Sequence, residues 1–247
     1  MIQIIDLVKS FHGQTVLDGI NLEMPRGKIT VVIGKSGVGK SVLLKHIVGL
    51  LKPDSGQVLI DGVDITRLKS RQLQELKKRF AVLFQGGALF DSLNVFENIA
   101  FPLLEKTRLP ETEIRRRVLE RLEQMNLSAE VGYKFPDELS GGMKKRVALA
   151  RAMIQEPEIM FFDEPVTGLD PPMTNTVFHL ITKTHQESAY TALVVSHDIP
   201  DVFQVADYVA MLHQGRIIAY GTPQEIQHHA DPVVQSFIHG EVDFLEA

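Results

Sequence analysis

The chain has 247 residues, of which 44% are hydrophobic, so it is long enough to bury one large core with an additional lobe. Its formal net charge of -5 argues against a nucleic-acid-binding protein, because no broad positive surface is implied. It contains no cysteine, which excludes disulfides and cysteine-based metal or redox chemistry.

The N-terminal residues lack the basic and apolar regions of a signal peptide, and no apolar run approaches the ~18 residues of a membrane-spanning helix. Short alternating apolar runs in residues 1–33 and 56–84 predict an antiparallel sheet at one edge of the fold. The strands that end near Ile33, Phe162 and Val195 alternate with helices, which indicates a parallel α/β core.

A glycine-rich loop follows the strand at residues 28–33, and residues 42–51 after it have a helical pattern. The loop fits the phosphate-binding pattern G-x-x-x-x-G-K-[ST]. Its residues are Gly34, Lys35, Ser36, Gly37, Val38, Gly39, Lys40 and Ser41. In such a loop, backbone N–H groups surround the β- and γ-phosphates, the lysine supplies a positive charge, and the serine hydroxyl binds Mg²⁺. The alternative is a glycine-rich turn without a ligand, and a chance match has odds of about one in a hundred.

Residues 89–156 have few strand signals, and apolar residues recur at helical spacing over residues 114–125. This pattern predicts a helical lobe inserted into the core. Two short basic runs in the lobe, Arg115–Arg117 and Lys144–Arg146, are interpreted as solvated helix faces rather than contacts to a phosphate backbone.

A second glycine pair lies in this lobe, where Ser140, Gly141 and Gly142 precede a helical run over residues 144–154. Ser140 suits an N-cap. The two glycines should leave backbone N–H groups accessible in the positive field of the helix dipole, which predicts a second phosphate site. One ATP does not need two separate glycine cradles in one subunit. A pair of subunits does, if each offers its second cradle to the ATP that the other holds.

An apolar run over residues 159–162, typical of a strand buried on both faces, is followed directly by Asp163 and Glu164. Charge at the end of a buried strand is unfavourable unless it meets a metal or a partner. Asp163 can then contribute to a Mg²⁺ shell, and Glu164 can polarise an attacking water. The alternative is an acidic strand tip that simply enters solvent.

Over roughly residues 1–225, these motifs together resemble the nucleotide-binding subunit of an ATP-binding cassette (ABC) transporter. The resemblance implies an enzyme that hydrolyses ATP with Mg²⁺. It also implies an α/β fold with a P-loop (RecA-like) core, an antiparallel edge sheet and an inserted helical subdomain. The core would comprise residues 1–88 and 157–225, the helical subdomain residues 89–156, and a C-terminal tail residues 226–247.

The resemblance assigns roles to further residues. Phe11 matches the aromatic residue that stacks on adenine, and Gln85 matches the glutamine that reaches Mg²⁺ and the attacking water. His197 matches the histidine that contacts the γ-phosphate, and Asp170 ends the loop over residues 167–170 that crosses the dimer interface. For Phe11 and His197, an ordinary core or surface position is the alternative.

Two positions depart from the pattern of the family. Val42 replaces a threonine that often follows the metal-binding hydroxyl, so one bond to the α-phosphate is expected to be missing. Met143 replaces the more common glutamine after the glycine pair. Neither change removes the lysine, the glycines or the acids, and an active ATPase is therefore expected.

The segment Gln85–Leu93, with residues 39–44 and the methionine after the glycine pair, resembles the ATPases of Mla-type phospholipid transporters. The resemblance implies a homodimer formed around ATP, peripheral to the cytoplasmic face of the inner membrane. It implies an integral membrane permease as partner, and suggests a lipid-binding protein of the mammalian-cell-entry (MCE) type and a small accessory subunit. In this family the segment lies where the coupling helix of the permease binds.

Three alternatives compete with a phospholipid motor: an ABC importer ATPase for another small substrate, a soluble ABC ATPase, and a P-loop kinase or GTPase. Soluble ABC ATPases usually carry two cassettes or a long coiled-coil insertion, and kinases and GTPases lack the second glycine motif. The C-terminal tail is too short for its own core, so it packs on the domain, contacts a partner or is mobile.

Overall fold

A computed structural model describes residues 1–199 and 201–240. Its strands are β1 (Ile2–Phe11), β2 (Gln14–Met24), β3 (Ile29–Ile33), β4 (Ser55–Ile60), β5 (Val63–Asp64), β6 (Phe80–Leu83), β7 (Ile159–Asp163), β8 (Thr191–Val195), β9 (Tyr208–His213) and β10 (Arg216–Gly221). Its helices are α1 (Lys40–Ile47), α2 (Ser70–Lys77), α3 (Val95–Lys106), α4 (Glu111–Gln124), α5 (Gly141–Met153), α6 (Pro171–Ser188), α7 (Pro223–Gln227) and α8 (Pro232–His239). Among the described residues, no helix combines the length and apolar character needed to cross a membrane.

The strands form two sheets. A six-stranded sheet has the order β10-β9-β3-β8-β7-β6 and is parallel except for the β9–β10 pair. A four-stranded antiparallel sheet has the order β2-β1-β4-β5. This α/β core with an antiparallel edge sheet confirms the predicted fold class. The prediction was wrong for β6, which pairs in parallel with β7 and so belongs to the core sheet.

The strands β3, β8 and β7 of the six-stranded sheet are buried on both faces, and their alternate side chains join two different hydrophobic clusters. On β7, Met160 and Phe162 face the layer of α3 to α6, whereas Ile159 and Phe161 face α1 and the antiparallel sheet. A strand covered on both faces has no polar side, which explains its uninterrupted apolar sequence. The carboxyl end of this strand is where the chain turns polar at Asp163.

Residues 89–156 contain α3, α4 and α5 with two short 3-10 helices, at Ala129–Tyr133 and Pro136–Glu138, and no strand. Their buried side chains share one hydrophobic cluster with a face of the parallel sheet, for example Val147 with Phe162. The helical character of this region is as predicted. Its boundaries as a separate subdomain stay a prediction, because the cluster is continuous across them.

The two basic runs predicted to be solvated helix faces differ in their exposure. Arg116 and Arg117 pair with Glu113 on the outer side of α4, as expected for a solvated face. The interpretation of Lys144–Arg146 was wrong, because Lys145 is only 7% exposed. It lies on α5, which is covered by α3, α4 and α6.

The described part of the C-terminal tail packs on its own domain. Ile226 of α7 and Val234 of α8 are buried in the cluster that contains one face of the parallel sheet. Thr222 and Asp231 cap these two helices through their side chains. The apolar residues at 242, 244 and 245 lie outside the described residues.

Candidate active site

The glycine-rich loop connects the carboxyl end of β3 to the start of α1, and two of its glycines are required by the backbone. Gly34 has a φ of 153°, and a Cβ there would lie 2.3 Å from the carbonyl oxygen of Leu212. Gly39 has a φ of 111° and precedes α1, and a Cβ there would lie 3.1 Å from a methyl group of Val16. Side chains are therefore excluded where the loop bends around its ligand space.

The ammonium of Lys40 lies inside this loop. Its Nζ donates hydrogen bonds to the carbonyl oxygens of Gly34 at 2.8 Å and Lys35 at 3.0 Å, and lies 3.6 Å from Oε1 of Glu164. Burial lowers the pKa of Lys40, and the Glu164 carboxylate opposes that shift. The positive charge is thus placed among two loop carbonyls and one carboxylate. Phosphate oxygens of a bound nucleotide would take the place of these oxygens as partners of the ammonium.

Of the three residues that the sequence assigns to Mg²⁺, two are hydrogen-bonded to each other and the third borders the same cavity. Ser41 Oγ donates a hydrogen bond of 2.9 Å to Oδ1 of Asp163, across the ends of α1 and β7. Gln85, two residues after β6, is exposed and borders the same cavity. A hydroxyl, a carboxylate and an amide oxygen are hard ligands of the type that Mg²⁺ prefers. These residues therefore fit the cation expected there.

Glu164 and His197 form one hydrogen-bonded unit, which the sequence did not predict. Oε2 of Glu164 accepts hydrogen bonds from Nδ1 of His197 at 2.7 Å and from Oγ1 of Thr167 at 3.0 Å. Glu164 is 8% exposed and has a φ of 51°, an uncommon backbone conformation for this residue. With Asp198, the pair brings three potential ligand groups within 4.8 Å of one another. The arrangement leaves Oε1 of Glu164 without a hydrogen bond to either residue.

These groups surround one open cavity of ≈ 220 Å³. It is lined by Ser36, Gly37, Gly39, Lys40, Ser41, Val42, Gln85, Glu164 and His197. The structure therefore brings together the phosphate loop, the glutamine, the acid and the histidine that the sequence singled out. Small-molecule sites are usually ~300–1,000 Å³ and enclose their ligand. The cavity in one chain is smaller than this range and is open to solvent.

Among the predicted nucleotide contacts outside the two glycine motifs, Phe11 and Asp170 do not line this cavity. Phe11 is 36% exposed at the end of β1, and the Lys9 ammonium lies 5.3 Å from the centroid of its ring. Asp170 is exposed and caps α6 by accepting a hydrogen bond of 2.8 Å from the backbone N–H of Met173. The contacts of Phe11 with adenine and of Asp170 across a dimer interface stay predictions.

The second glycine motif also lies outside the cavity. Ser140 caps α5 as predicted, because its Oγ accepts a hydrogen bond of 3.3 Å from the N–H of Met143. Gly141 is exposed, but Gly142 is buried, and a Cβ there would lie 2.7 Å from the sulfur of Met173. The expectation of two accessible glycines therefore holds only for Gly141. Gly142 is instead explained by the close packing of α5 against α6.

Several contacts around the site were not predicted from the sequence. Thr167 supports Glu164, Val16 packs beside Gly39, and Lys145 donates a hydrogen bond to the Gln85 carbonyl. Thr167 lies three residues after Glu164, and this local spacing could have predicted their hydrogen bond. Val16 and Lys145 meet their partners only through the tertiary fold.

The fold and the site define a P-loop ATPase. Residues 17–167 match the family model described as ABC transporter, and the chain belongs to this family. It is 42% identical over 243 residues to the intermembrane phospholipid transport system ATP-binding protein MlaF of Haemophilus influenzae, covering 98% of this chain and 92% of that protein. It is 41% identical over 239 residues to the probable ribonucleotide transport ATP-binding protein mkl of Mycobacterium leprae, covering 97% of this chain and 69% of that protein.

Solved structures support the same assignment. The dimeric post-hydrolysis state of the ATP-binding cassette MJ0796 bound to ADP and Pi superposes with a TM-score of 0.82 at 30% identity, covering 90% of this chain and 99% of that chain. The cbiO1 protein of Clostridium perfringens, part of the ABC transporter complex cbiONQ, superposes with a TM-score of 0.85 at 32% identity, covering 95% of this chain and 93% of that chain. The predictions of an ABC ATPase and of its fold class are confirmed.

Proposed function

We propose that this ABC ATPase is the motor of a phospholipid transporter in a bacterial envelope, working as a homodimer with Mg²⁺ and ATP at the cytoplasmic face of the membrane. The observation that carries the proposal is the site itself. Lys40, the Ser41–Asp163 pair and the Glu164–His197 unit converge on one small cavity that is open to solvent. These are the charges and hydrogen-bonding groups that phosphoryl transfer to water requires.

The hydrogen-bond arrangement supports a specific role for each oxygen of Glu164. Oε2 is occupied by His197 and Thr167, so Oε1 is the oxygen that can accept a proton from an attacking water. Lys40 would neutralise the phosphates beside it. A magnesium ion held by Ser41, Asp163 and Gln85 would withdraw charge from the β- and γ-phosphates.

The dimer is supported by the shape of the cavity and the position of Gly141. The cavity is small and open to solvent, and Gly141 is exposed at the start of α5 outside its lining. A helix start with free N–H groups attracts phosphate. In the proposed dimer, the helix start of one subunit covers the ATP bound by the other.

ATP-dependent dimerisation tests this arrangement. The Glu164→Gln chain should form dimers with ATP and Mg²⁺ and separate with ADP, measured by light scattering over a range of protein concentrations. Adding Gly141→Asp should abolish the dimer while ATP still binds, because a carboxylate would face the partner's phosphates. A Glu164→Gln chain that stays monomeric with saturating ATP, or a dimer unaffected by Gly141→Asp, would contradict the shared site.

The cargo is inferred from the relatives, because a lipid would not contact this subunit. The relatives named for phospholipid transport match nearly the whole chain at 42% identity. Relatives named for ribonucleotide transport match at 41%, which supports a transporter of another small substrate as the second candidate. Co-purification from detergent-solubilised membranes, followed by identification of the bound permease and its lipids, discriminates the two.

The segment Gly86–Leu93 is the proposed permease contact, and two of its apolar residues, Leu89 and Phe90, differ in their exposure. Phe90 is 42% exposed, its ring centroid lies 4.8 Å from that of Phe101, and the Arg151 guanidinium lies 5.4 Å from it. Leu89 is half-buried and packs against the main hydrophobic cluster. Phe90 is therefore the side chain that a partner helix can bury.

Phe90→Asp should leave a folded chain with intact ATP binding that no longer co-purifies with its permease, since such anchors contribute about 2 kcal/mol or more. The introduced carboxylate would lie near Arg151, which compensates its charge in the free chain. Leu89→Asp should lower the melting temperature, and Leu50→Asp, at a residue that is 54% exposed near the end of α1, should change neither property. A stable Phe90→Asp chain that still binds the permease would refute this contact.

A further inference from the structure

Lys145 is a charged residue that the proposed chemistry does not use. It lies in the first turns of α5 and is 7% exposed, whereas its neighbour Lys144 is only partly buried. A buried ammonium is unfavourable unless it is compensated. Burial lowers the pKa of Lys145, and the carboxylates of Glu164 and Asp198 oppose that shift. Lys145 therefore lies near the hydrolytic groups, although it does not line their cavity.

The ammonium of Lys145 donates a hydrogen bond to the backbone carbonyl of Gln85. Within residues 1–199 and 201–240, this is its only hydrogen bond. Because the acceptor is a main-chain oxygen, the contact positions the peptide that carries the Gln85 side chain. That side chain is exposed and borders the nucleotide cavity.

Further contacts hold Gly87 and Ala88 against the same helix. Gly87 has a φ of +74°, and a Cβ there would lie 3.2 Å from the Cβ of Ala148. The Arg151 guanidinium donates hydrogen bonds of 2.8 Å to the carbonyl oxygens of Gly87 and Ala88. The segment therefore follows α5, and the lysine contact is the one nearest to Gln85.

We propose that Lys145 is a positioning residue for Gln85. It fixes the Gln85 peptide to the first turns of α5, so that the glutamine beside the metal and the exposed Gly141 beside the partner's nucleotide move together. This inference rests on the proposed function, in which Gln85 faces the ATP of its own subunit and Gly141 faces the ATP of the partner subunit. A shift of α5 on dimer closure would then bring Gln85 into place.

Lys145→Met replaces the ammonium with an apolar chain of similar length. It should lower kcat about tenfold or more, because loss of a supporting contact to a metal-binding group commonly has an effect of that size. The KM for ATP should stay unchanged, and the Mg²⁺ concentration for half-maximal activity should rise. Lys144→Met is the matched control. It should leave kcat and the Mg²⁺ concentration for half-maximal activity unchanged. Lys145→Gln keeps a donor for the carbonyl without the charge and should retain most of the turnover.

A double-mutant cycle with Gln85→Ala separates positioning from general destabilisation. If Lys145 acts through Gln85, Lys145→Met should have no further effect on kcat in the Gln85→Ala chain. Additive losses, an unchanged kcat, or equal losses in Lys145→Gln and Lys145→Met would overturn the proposal. If Lys145→Met does not fold, Lys145→Leu, which also lacks a donor for the Gln85 carbonyl, replaces it in the cycle. ATP hydrolysis by the wild-type chain and its loss in Glu164→Gln report separately on the proposed function.

Discussion

Glu164→Gln is expected to slow ATP turnover by about 10²-fold or more while ATP still binds, as for loss of a positioned general base. Glutamine has nearly the same shape, so its amide oxygen can still accept hydrogen bonds from His197 and Thr167. It cannot accept a proton from water at the position of Oε1. The loss should therefore appear in the chemical step and not in the affinity for nucleotide.

Single-turnover hydrolysis and titration with a labelled ATP analogue measure these two effects separately. Glu111→Gln, at an exposed residue in the first turn of α4, controls for the loss of one negative charge and should hydrolyse ATP normally. Turnover like that of the wild type in Glu164→Gln would exclude this residue as the base. Weak ATP binding in the variant would instead indicate that the carboxylate organises the phosphate loop.

The parts of the site that the sequence predicted are those determined by contiguous residues. The loop before Lys40 needs a tight turn with bare N–H groups, and a few neighbouring glycines are enough to define it. The cap at Ser140 likewise depends on a contact three residues away, to the N–H of Met143. Such local rules can be applied without knowing the rest of the fold.

The parts that were missed depend on which elements become neighbours. Phe80–Leu83 is a short apolar run like those of the edge sheet, and only its pairing with Ile159–Phe162 assigns it to the core. Glu164 and His197 meet because β7 and β8 are adjacent parallel strands whose carboxyl ends lie together. Lys145 is buried because other helices cover α5, which a run of basic residues does not reveal.

Lys40→Ala is expected to weaken ATP binding about 10- to 100-fold and to abolish hydrolysis. Hydrogen bonds to charged groups contribute about 1.5–3 kcal/mol, and each 1.4 kcal/mol is about a tenfold change in affinity. Lys40 is the buried cation of the phosphate cavity in the described part of the chain. Lys45→Ala, at an exposed lysine on the same helix, should bind and hydrolyse ATP like the wild type.

The substitution has a second effect that must be separated from the first. Without the ammonium, the buried Glu164 carboxylate loses the cation at 3.6 Å, and the carbonyls of Gly34 and Lys35 lose the hydrogen bonds from Lys40. The melting temperature without nucleotide should therefore fall in Lys40→Ala, because a buried charge is left uncompensated. In the double variant with Glu164→Gln that carboxylate is absent, so the melting temperature should recover in part while ATP affinity stays weak. If affinity recovers together with stability, Lys40 acts by keeping the loop folded and does not bind the phosphates itself.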